Sequence, residues 1–517
     1  MTIDGNSLRL DDVADVAYQP ERRADDPVVL SSAAEHAVQQ SRNIVERWIE
    51  RGETIYGVTT GFGEFANVRI SQEDLAHLQE NLIMSHSVGT GAWLPREVVR
   101  VMMLLRINAL AKGYSGIRLE TLQTLLAMLN ADLTPAIPEQ GSVGSSGDLV
   151  QLSHIALAAI GKGRILTAYG VKPSAEVLRE HGIAPVRLQA KEGLAMINGT
   201  QMMCAFGALA LHKALRLADI ADVAGALTCE ALRGTDTAFD ERIHRVRGFV
   251  GQTVSAARLR AYMRDSTIRE SHRDKARDPR VQDAYSLRCM PQVHGASRDA
   301  LDYVKTVIST ELHAATDNPL IFPDANNPEG GIHLEGGNFH GQPLALALDF
   351  LAIAAAELAN ISERRIERLV NGALSGLPRF LAPNGGLHSG LMIAQYSAAS
   401  LVSENKVLCH PASVDSIPTS ANQEDHNSMG SIAAQKAWRV VQNLERVLAI
   451  EFLCAAQAID FLRPLRSSPP LEAVHRLIRQ HVAFMDADRV VYDDVEAIRI
   501  LLENGSLEQA ARLDMPP

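Results

Sequence analysis

Apolar residues recur at helical spacing over three long stretches of this chain. The stretches run from Met202 to Arg233, from Leu344 to Val370 and from Ser431 to about Phe461. All three are rich in alanine and leucine, which favour long, closely packed helices. The pattern predicts a mainly α protein built around a bundle of long helices. The predicted buried side of the first helix consists of Leu209, Leu211, Leu215, Leu217 and Ile220.

The remaining pattern is less regular. From about Ser31 to Gln140, short helical patches alternate with glycine-rich turns, and strand signals are short and few. The first ~25 residues are polar and acidic and are expected to be loosely held. The segment Arg264–Arg280 is dense in mixed charge and is expected to be an exposed loop or a solvated helix end. We predict an N-terminal region over residues 1–200, the central bundle over 201–465 and a C-terminal helical region over 466–517.

Composition narrows the possible functions. The chain has 517 residues, 46% hydrophobic and 21% charged, as in ordinary globular proteins. Its net charge of −11 and its lack of a basic block argue against a nucleic-acid partner. The five cysteines are scattered without a Cys-x-x-Cys or Cys/His cluster, so we predict neither a metal site nor a disulfide framework. The N-terminus lacks a signal-peptide pattern and charges interrupt the apolar runs, so a cytoplasmic protein outside the membrane is expected.

One short segment is dense in small side chains. The run Gly144-Ser-Ser-Gly147 directly precedes Asp148. One interpretation is a loop before a helix, with Asp148 as a cap-like residue. The other is a backbone that cyclises, because the Gly147 nitrogen has no Cβ beside it and can attack the Ser145 carbonyl, losing one water. Loss of a second water from the Ser146 side chain would leave 4-methylidene-imidazol-5-one (MIO), a strong electrophile.

Further motifs follow one another along most of the chain. They are Tyr56-Gly-Val-Thr-Thr-Gly-Phe-Gly63, Ile197-Asn-Gly-Thr-Gln201, Gln282-Asp-Ala-Tyr-Ser-Leu-Arg-Cys289, Asp317-Asn-Pro319, Gly336-Gly-Asn-Phe-His340 and Ser420-Ala-Asn-Gln-Glu-Asp-His426. With residues 141–154, this ordered set resembles the histidine and aromatic amino-acid ammonia-lyases, most closely the histidine enzymes. The resemblance implies a long-helix bundle of the ammonia-lyase/fumarase-like type, with the MIO loop in a smaller mixed N-terminal part. It also implies MIO as the cofactor, formed autocatalytically from Ser145-Ser146-Gly147.

The resemblance assigns the chemistry of ammonia removal to particular residues. The Ser146 side-chain carbon becomes the electrophile that captures the substrate amine. Tyr56 takes the role of the base near the β-carbon, although a tyrosine is a weak base unless its pKa falls well below about 10. The alternative for Tyr56 is an interface or core tyrosine. Ser145 stands where the family usually has alanine, and Val150-Gln151 where it usually has Ala-Pro. The side chain of residue 145 remains attached to the ring but takes no part in the reaction, so we expect serine to be tolerated there.

The resemblance also places residues around the substrate. Arg288 would bind the carboxylate through two parallel donors, with a structural salt bridge as its alternative. Asn198, Gln282 and Tyr285 carry over as polar groups around the amine, the carboxylate and the ring. Asn-Gly is also a common turn pair, and Gln282 and Tyr285 have ordinary helix-start or core residues as alternatives. Phe339 maps to an aromatic contact beside the electrophile, and by itself it would be a core residue.

Two positions bear on the identity of the substrate. His86 matches the family position that faces the substrate side chain, where histidine suits a polar ring. Glu424 matches the carboxylate that holds the imidazole in the histidine enzymes. Their alternatives are a structural histidine and a structural acid. Together they predict L-histidine as substrate and trans-urocanate as product. Tyrosine, which would give p-coumarate, is the runner-up because residues 339–343 also resemble tyrosine-acting relatives.

Two other functions fit the same helical pattern. An aromatic amino-acid 2,3-aminomutase would use the same electrophile and return the amine to the β-carbon. A non-enzymatic helical scaffold would need no modified backbone. The family forms homotetramers whose active sites draw on more than one subunit, so the resemblance implies that the separated motifs need not meet within one chain.

Overall fold

Helices dominate the protein. The computed structural model describes residues 1–61, 70, 71, 73–274, 276, 278, 280–324 and 327–512, and Phe62 and Gly63 of the Tyr56 motif lie outside them. The α-helices are α1 Leu10–Tyr18, α2 Ser32–Glu50, α3 Leu75–His86, α4 Arg96–Ala111, α5 Leu119–Asn130, α6 Leu149–Ala159, α7 Ser174–Glu180, α8 Glu192–Ile197, α9 Gln201–Ala231, α10 Glu241–Arg245, α11 Val250–Tyr262, α12 Thr267–Ser271, α13 Tyr285–Arg288, α14 Met290–Glu311, α15 Gln342–Val370, α16 Gly372–Ser375, α17 Met392–Leu408, α18 Gly430–Asp460, α19 Pro469–His481, α20 Val491–Glu503 and α21 Ser506–Ala510. The strands are β1 Thr2–Ile3, β2 Val29–Leu30, β3 Thr90–Trp93, β4 Thr134–Pro135, β5 Pro138–Gln140, β6 Arg164–Thr167, β7 Gly170–Pro173, β8 Leu320–Asp324 and β9 Asn327–Leu334.

The three long helices predicted from hydrophobic spacing are confirmed as α9, α15 and α18. One detail of α9 differs from the prediction, because Leu215 is only half-buried. With 3.6 residues per turn, the buried face is centred on a different row and Leu215 lies at its edge. That row consists of Leu211, Ala214, Ala218 and Ala221, each at most 1% exposed.

The chain divides into two compact units. The first comprises Met1–His212, Lys305–Asp349 and Pro411–Gln435, and the second comprises Lys213–Val304, Phe350–His410 and Lys436–Pro517. All the strands of the described residues lie in the first unit, in small sheets of two or three strands. Helices α9, α14, α15 and α18 each contribute residues to both units. The three-part division expected from the sequence stays a prediction.

Buried polar pairs join the long helices inside the second unit. The Glu451 carboxylate of α18 accepts hydrogen bonds from Arg365 (2.6 and 2.9 Å) and Ser362 (2.6 Å) of α15. It also accepts one from Thr228 of α9 at 2.7 Å. Because a buried charge without partners is costly, these contacts favour one register of the three helices over slipped ones.

Two segments are more firmly held than the sequence suggested. The N-terminal residues are docked, because the Met1 ammonium binds Asp26 at 2.6 Å and Val13 of α1 is fully buried in a helix that packs on α4. In the charged segment Arg264–Arg280, Arg269 is 4% exposed and binds Asp236 at 2.7 Å. Residues 275, 277 and 279 of that segment lie outside the described ones. The spacing of apolar residues could not predict either contact, because the paired residues are far apart in sequence.

Helix α15 meets the length and composition expected of a membrane-crossing segment. It is the one such helix among the described residues, and 67% of its most apolar window is buried inside the protein. A buried core helix satisfies the same criterion, so this property assigns no membrane to the chain.

Candidate active site

The Ser145-Ser146-Gly147 tripeptide lies in a loop that its neighbours hold in a tight bend. The Ser142 hydroxyl accepts a hydrogen bond from the Gly144 nitrogen (3.1 Å) and donates one to the Gly147 carbonyl (3.0 Å). Gly144 and Gly147 have φ values of +72° and +76°, in the left-handed region that glycine tolerates best. From outside the loop, Ser428 donates to the Gly144 carbonyl at 2.9 Å.

The backbone of Gly147 packs directly on the backbone of Gly199. The Asp148 nitrogen donates to the Gly199 carbonyl at 2.7 Å, and a Cβ at residue 147 would lie 1.9 Å from the Gly199 oxygen. Only glycine therefore fits at position 147. Because glycine has no side chain, nothing on residue 147 shields its backbone nitrogen. The cyclisation hypothesis requires this.

Gly199 is equally constrained, which leads to a stability prediction. A Cβ at residue 199, where φ is +150°, would lie 2.4 Å from Gln201 Oε1 and 2.6 Å from Arg106 Nη1 and Thr316 Oγ1. We expect Gly199→Ala to destabilise the fold by about 1–3 kcal/mol, measured as a lower thermal unfolding midpoint. Gly182→Ala is the control, since Gly182 has φ +68° and no heavy atom within 4 Å of an added Cβ. A loss at Gly199 no greater than that at Gly182 would contradict the steric argument.

The Asp148 side chain binds the start of α9 and not that of the helix that follows it in sequence. It directly precedes α6, but its side chain makes no capping hydrogen bond there. Instead one carboxylate oxygen accepts from the nitrogens of Met202 (2.9 Å) and Met203 (3.0 Å), in the first turn of α9. The other oxygen accepts from Ser431 at 3.0 Å. Burial raises the pKa of Asp148 to about 6, against these hydrogen bonds, which lower it. Asp148 thus stands at the cap position of α6, as one interpretation of the sequence had it, but its side chain binds the N–H groups of a remote helix instead.

A buried arginine that sequence reasoning missed braces the segment facing the loop. Arg106 of α4 is 1% exposed and donates to the carbonyls of Asn198 (2.6 Å) and Ala195, and to Gln201 Oε1 (3.0 Å). Burial lowers its pKa to about 10, while the nearby Asp317 acts in the opposite direction. An arginine inside the apolar run of α4 was a visible signal, but the sequence could not name its partners.

Ser146, Glu424 and His86 come together within one chain. The Ser146 hydroxyl donates to Glu424 Oε1 at 2.8 Å, and Thr419 donates to Glu424 Oε2 at 2.7 Å. His86 lies close enough to Glu424 for the carboxylate to act on its pKa, which burial lowers and both Glu424 and the Leu82 carbonyl raise. The His86 Nδ1 atom is 2.9 Å from that carbonyl. Since a carbonyl only accepts, Nδ1 carries the proton and Nε2 of the neutral ring is an acceptor.

Tyr56 and Asn198 lie on neighbouring turns. Tyr56 is half-buried in the turn after α2, and the adjacent Gly57 packs on Leu194, with a Cβ there 2.4 Å from Leu194 Cδ1. Asn198 is 5% exposed at the end of α8, and its amide donates to the Asn318 carbonyl at 3.1 Å. Asn198 has an extended backbone at the end of α8, and its side chain is oriented by the Asp317-Asn-Pro319 motif.

The Phe339 segment lies beside the same loop. Phe339 is half-buried between β9 and α15, and the nitrogen of Gly341 donates to the Gly144 carbonyl at 3.4 Å. The His340 ring stacks on His426, with 5.5 Å between centroids. The structure thus brings the Phe339 segment to the loop.

Gln282, Tyr285 and Arg288 lie in the second unit. Gln282 is exposed, and Tyr285, the first residue of α13, is 70% exposed. The Arg288 guanidinium lies 4.6 Å from the centre of the Tyr285 ring. Among the described residues it forms no ion pair, and its buried Nε has no hydrogen-bond partner. This arrangement favours a ligand role for Arg288 over the structural salt bridge.

Comparison with known proteins places the chain in a family. The sequence model of the aromatic amino acid lyases matches residues 8–480. A histidine ammonia-lyase of Caldanaerobacter subterraneus subsp. tengcongensis is 52% identical over 512 residues, covering 99% of this chain and 98% of the relative. The structure of histidine ammonia-lyase from Trypanosoma cruzi has a TM-score of 0.90 at 46% identity, covering 99% and 94% of the two chains. That of a tyrosine aminomutase from Streptomyces globisporus has a TM-score of 0.93 at 39% identity, covering 100% and 99%.

This chain belongs to the aromatic amino acid lyase family. The resemblance drawn from the ordered motifs is confirmed, and so is the mainly α fold with long helices. The roles given to individual residues stay predictions.

Proposed function

We propose that this protein is a carbon–nitrogen lyase that eliminates ammonia from L-histidine and releases trans-urocanate. The observation that carries the proposal is the hydrogen bond from Ser146 to Glu424 at 2.8 Å, together with a His86 ring whose pKa the same carboxylate raises. The 52% identity to histidine ammonia-lyases over nearly the whole chain supports the same conclusion.

The tripeptide fits the formation of MIO. Gly147 has no room for a Cβ, so only the residue type that ring closure needs can occupy that position. Ser145 is 8% exposed, and its side chain remains outside the reacting atoms. Once formed, MIO supplies an electrophilic methylidene carbon for the substrate amine. We therefore propose Ser145, Ser146 and Gly147 as its source.

The protein's own residues bind and orient the substrate. Arg288 binds the carboxylate, since a guanidinium presents two parallel N–H donors. Gln282 and Tyr285, which precede Arg288 in the sequence, contribute polar contacts, and Asn198 holds the amine end. Tyr56 removes the β-proton.

The imidazole is held from two sides. His86 Nε2, left as an acceptor by the Nδ1 contact to Leu82, takes one ring N–H. Glu424 takes the other N–H and favours the charged ring. A phenylalanine ring offers no such donor, and a tyrosine offers one hydroxyl. Two acceptors therefore fit imidazole better than phenol, and Phe339 contributes an aromatic contact.

A substrate panel tests the proposal. Purified protein is incubated separately with L-histidine, L-tyrosine and L-phenylalanine while product absorbance is followed. We expect urocanate from histidine and little product from the other two amino acids. p-Coumarate as the dominant product would show that tyrosine, and not histidine, is the preferred substrate. A β-amino acid detected by chromatography would favour the aminomutase, the activity named for a structural relative at 39% identity.

Assembly is part of the proposal. We infer a homotetramer with active sites shared between subunits, acting in the cytoplasm. Gln282 and Tyr285 are exposed on one chain, as expected of groups that complete another chain's site. An apolar surface formed by Tyr303, Phe350 and Ile353 is about half-exposed in the second unit, which suits burial between copies.

A further inference from the structure

We propose that Glu424 acts before any substrate arrives, as the acid–base group that removes the Ser146 hydroxyl during formation of the modified backbone. This inference rests on the proposed function, because it concerns the maturation of the same tripeptide. It gives Glu424 a task in the making of the active site that is separate from its predicted contact with the substrate ring.

The contact that carries the inference is direct. Glu424 Oε1 lies 2.8 Å from the Ser146 Oγ atom, which is the atom that must leave. The other nearby carboxylate, Asp148, is committed elsewhere, since its oxygens accept from Met202, Met203 and Ser431. Among the described residues, Glu424 is the carboxylate that is hydrogen-bonded to Ser146.

Hydrogen bonds from Thr419 fix the orientation of the Glu424 carboxylate. Thr419 Oγ1 donates to Oε2 at 2.7 Å, which leaves Oε1 directed at Ser146. The Asn427 amide donates to the same threonine oxygen at 3.2 Å, so the threonine proton points to Glu424. The backbones of Thr419 and Glu424 are paired by hydrogen bonds of 3.0 and 3.3 Å. Such pre-organisation is what an acid–base group needs.

The step balances without an added reactant. Ring closure between the Gly147 nitrogen and the Ser145 carbonyl releases the first water. In the second elimination, Glu424 as a carboxylate takes the Cα proton of Ser146, and the Cα–H electron pair becomes the Cα=Cβ double bond. The Cβ–Oγ bond breaks while Glu424 returns that proton to Oγ. Water leaves and the carboxylate is restored, so one group serves as base and then as acid.

The two eliminations can be separated by mass. Protein made by cell-free synthesis, without amino-acid substrate beyond that needed for translation, is quenched at intervals and its intact mass is measured. Wild-type chain should end lighter by two waters, about 36 Da. Glu424→Gln, which can form hydrogen bonds but cannot take up a proton and return it, should accumulate chain lighter by one water, about 18 Da. We expect its second loss to be slower by about 10²-fold or more.

Asp425→Asn is the matched control, because Asp425 is the exposed neighbouring carboxylate. It should lose both waters at the wild-type rate. Thr419→Val keeps the Glu424 carboxylate but removes its supporting hydrogen bond, so it should slow the second loss by less than Glu424→Gln does. This variant provides the test if Glu424→Gln fails to fold, which circular dichroism would report.

The outcomes separate this inference from the proposed function. Loss of both waters by folded Glu424→Gln at the wild-type rate would overturn the maturation role and leave the proposed function standing. Retention of both waters by the folded variant would overturn the assignment to the second step. Full, unmodified mass in active wild-type protein would refute MIO itself, and with it both proposals.

Discussion

Ser146→Ala is expected to lower the rate of histidine elimination on the order of 10³-fold or more, because it removes the hydroxyl whose loss would turn the side-chain carbon into the electrophile. An alanine at this position has no hydroxyl to lose, so the chain cannot become two waters lighter. Ring closure alone yields no methylidene. The measurement is product formation by purified variant under saturating histidine, with intact mass recorded on the same sample.

Ser145→Ala is the matched control for this prediction. Its side chain is buried in the same loop, but it lies outside the reacting atoms. We expect it to preserve most of the activity and to lose both waters. Equal loss in the two variants would show that the loop tolerates no change, and full activity in Ser146→Ala would refute the electrophile.

Tyr56→Phe is expected to have the second-largest effect, a loss in kcat of about 10²–10⁴-fold. The substitution removes the phenolic oxygen and keeps the ring that packs in the turn after α2. Since Tyr56 is assigned to substrate chemistry and not to maturation, the variant should still be two waters lighter. kcat and KM measured with L-histidine, together with intact mass, check the prediction.

Tyr169→Phe serves as the control for Tyr56, because Tyr169 is 97% exposed in a hairpin turn. It should behave as wild type. An unchanged kcat in Tyr56→Phe would assign the base to another residue. A variant that keeps the full unmodified mass would place Tyr56 in maturation instead.

The buried alanine-rich helices were predictable because their signal is local. Periodic apolar residues in α9, α15 and α18 predicted their bounds to within a few residues. The edge position of Leu215 was not predictable, since the direction of the buried face depends on which helices pack around it. The docked N-terminus was missed for the same reason, because Met1 and Asp26 meet only after folding.

The candidate site shows the same division. The sequence by itself determined the candidate tripeptide and the order of motifs, because the proposed cyclisation depends on the identity of three adjacent residues. Only the tertiary structure decided that Asp148 holds the start of α9, that Arg106 braces Asn198 and that Ser146 meets Glu424. Those pairs are separated by 54 to 278 positions. Contacts between groups so distant in sequence depend on packing, which local residue patterns do not encode.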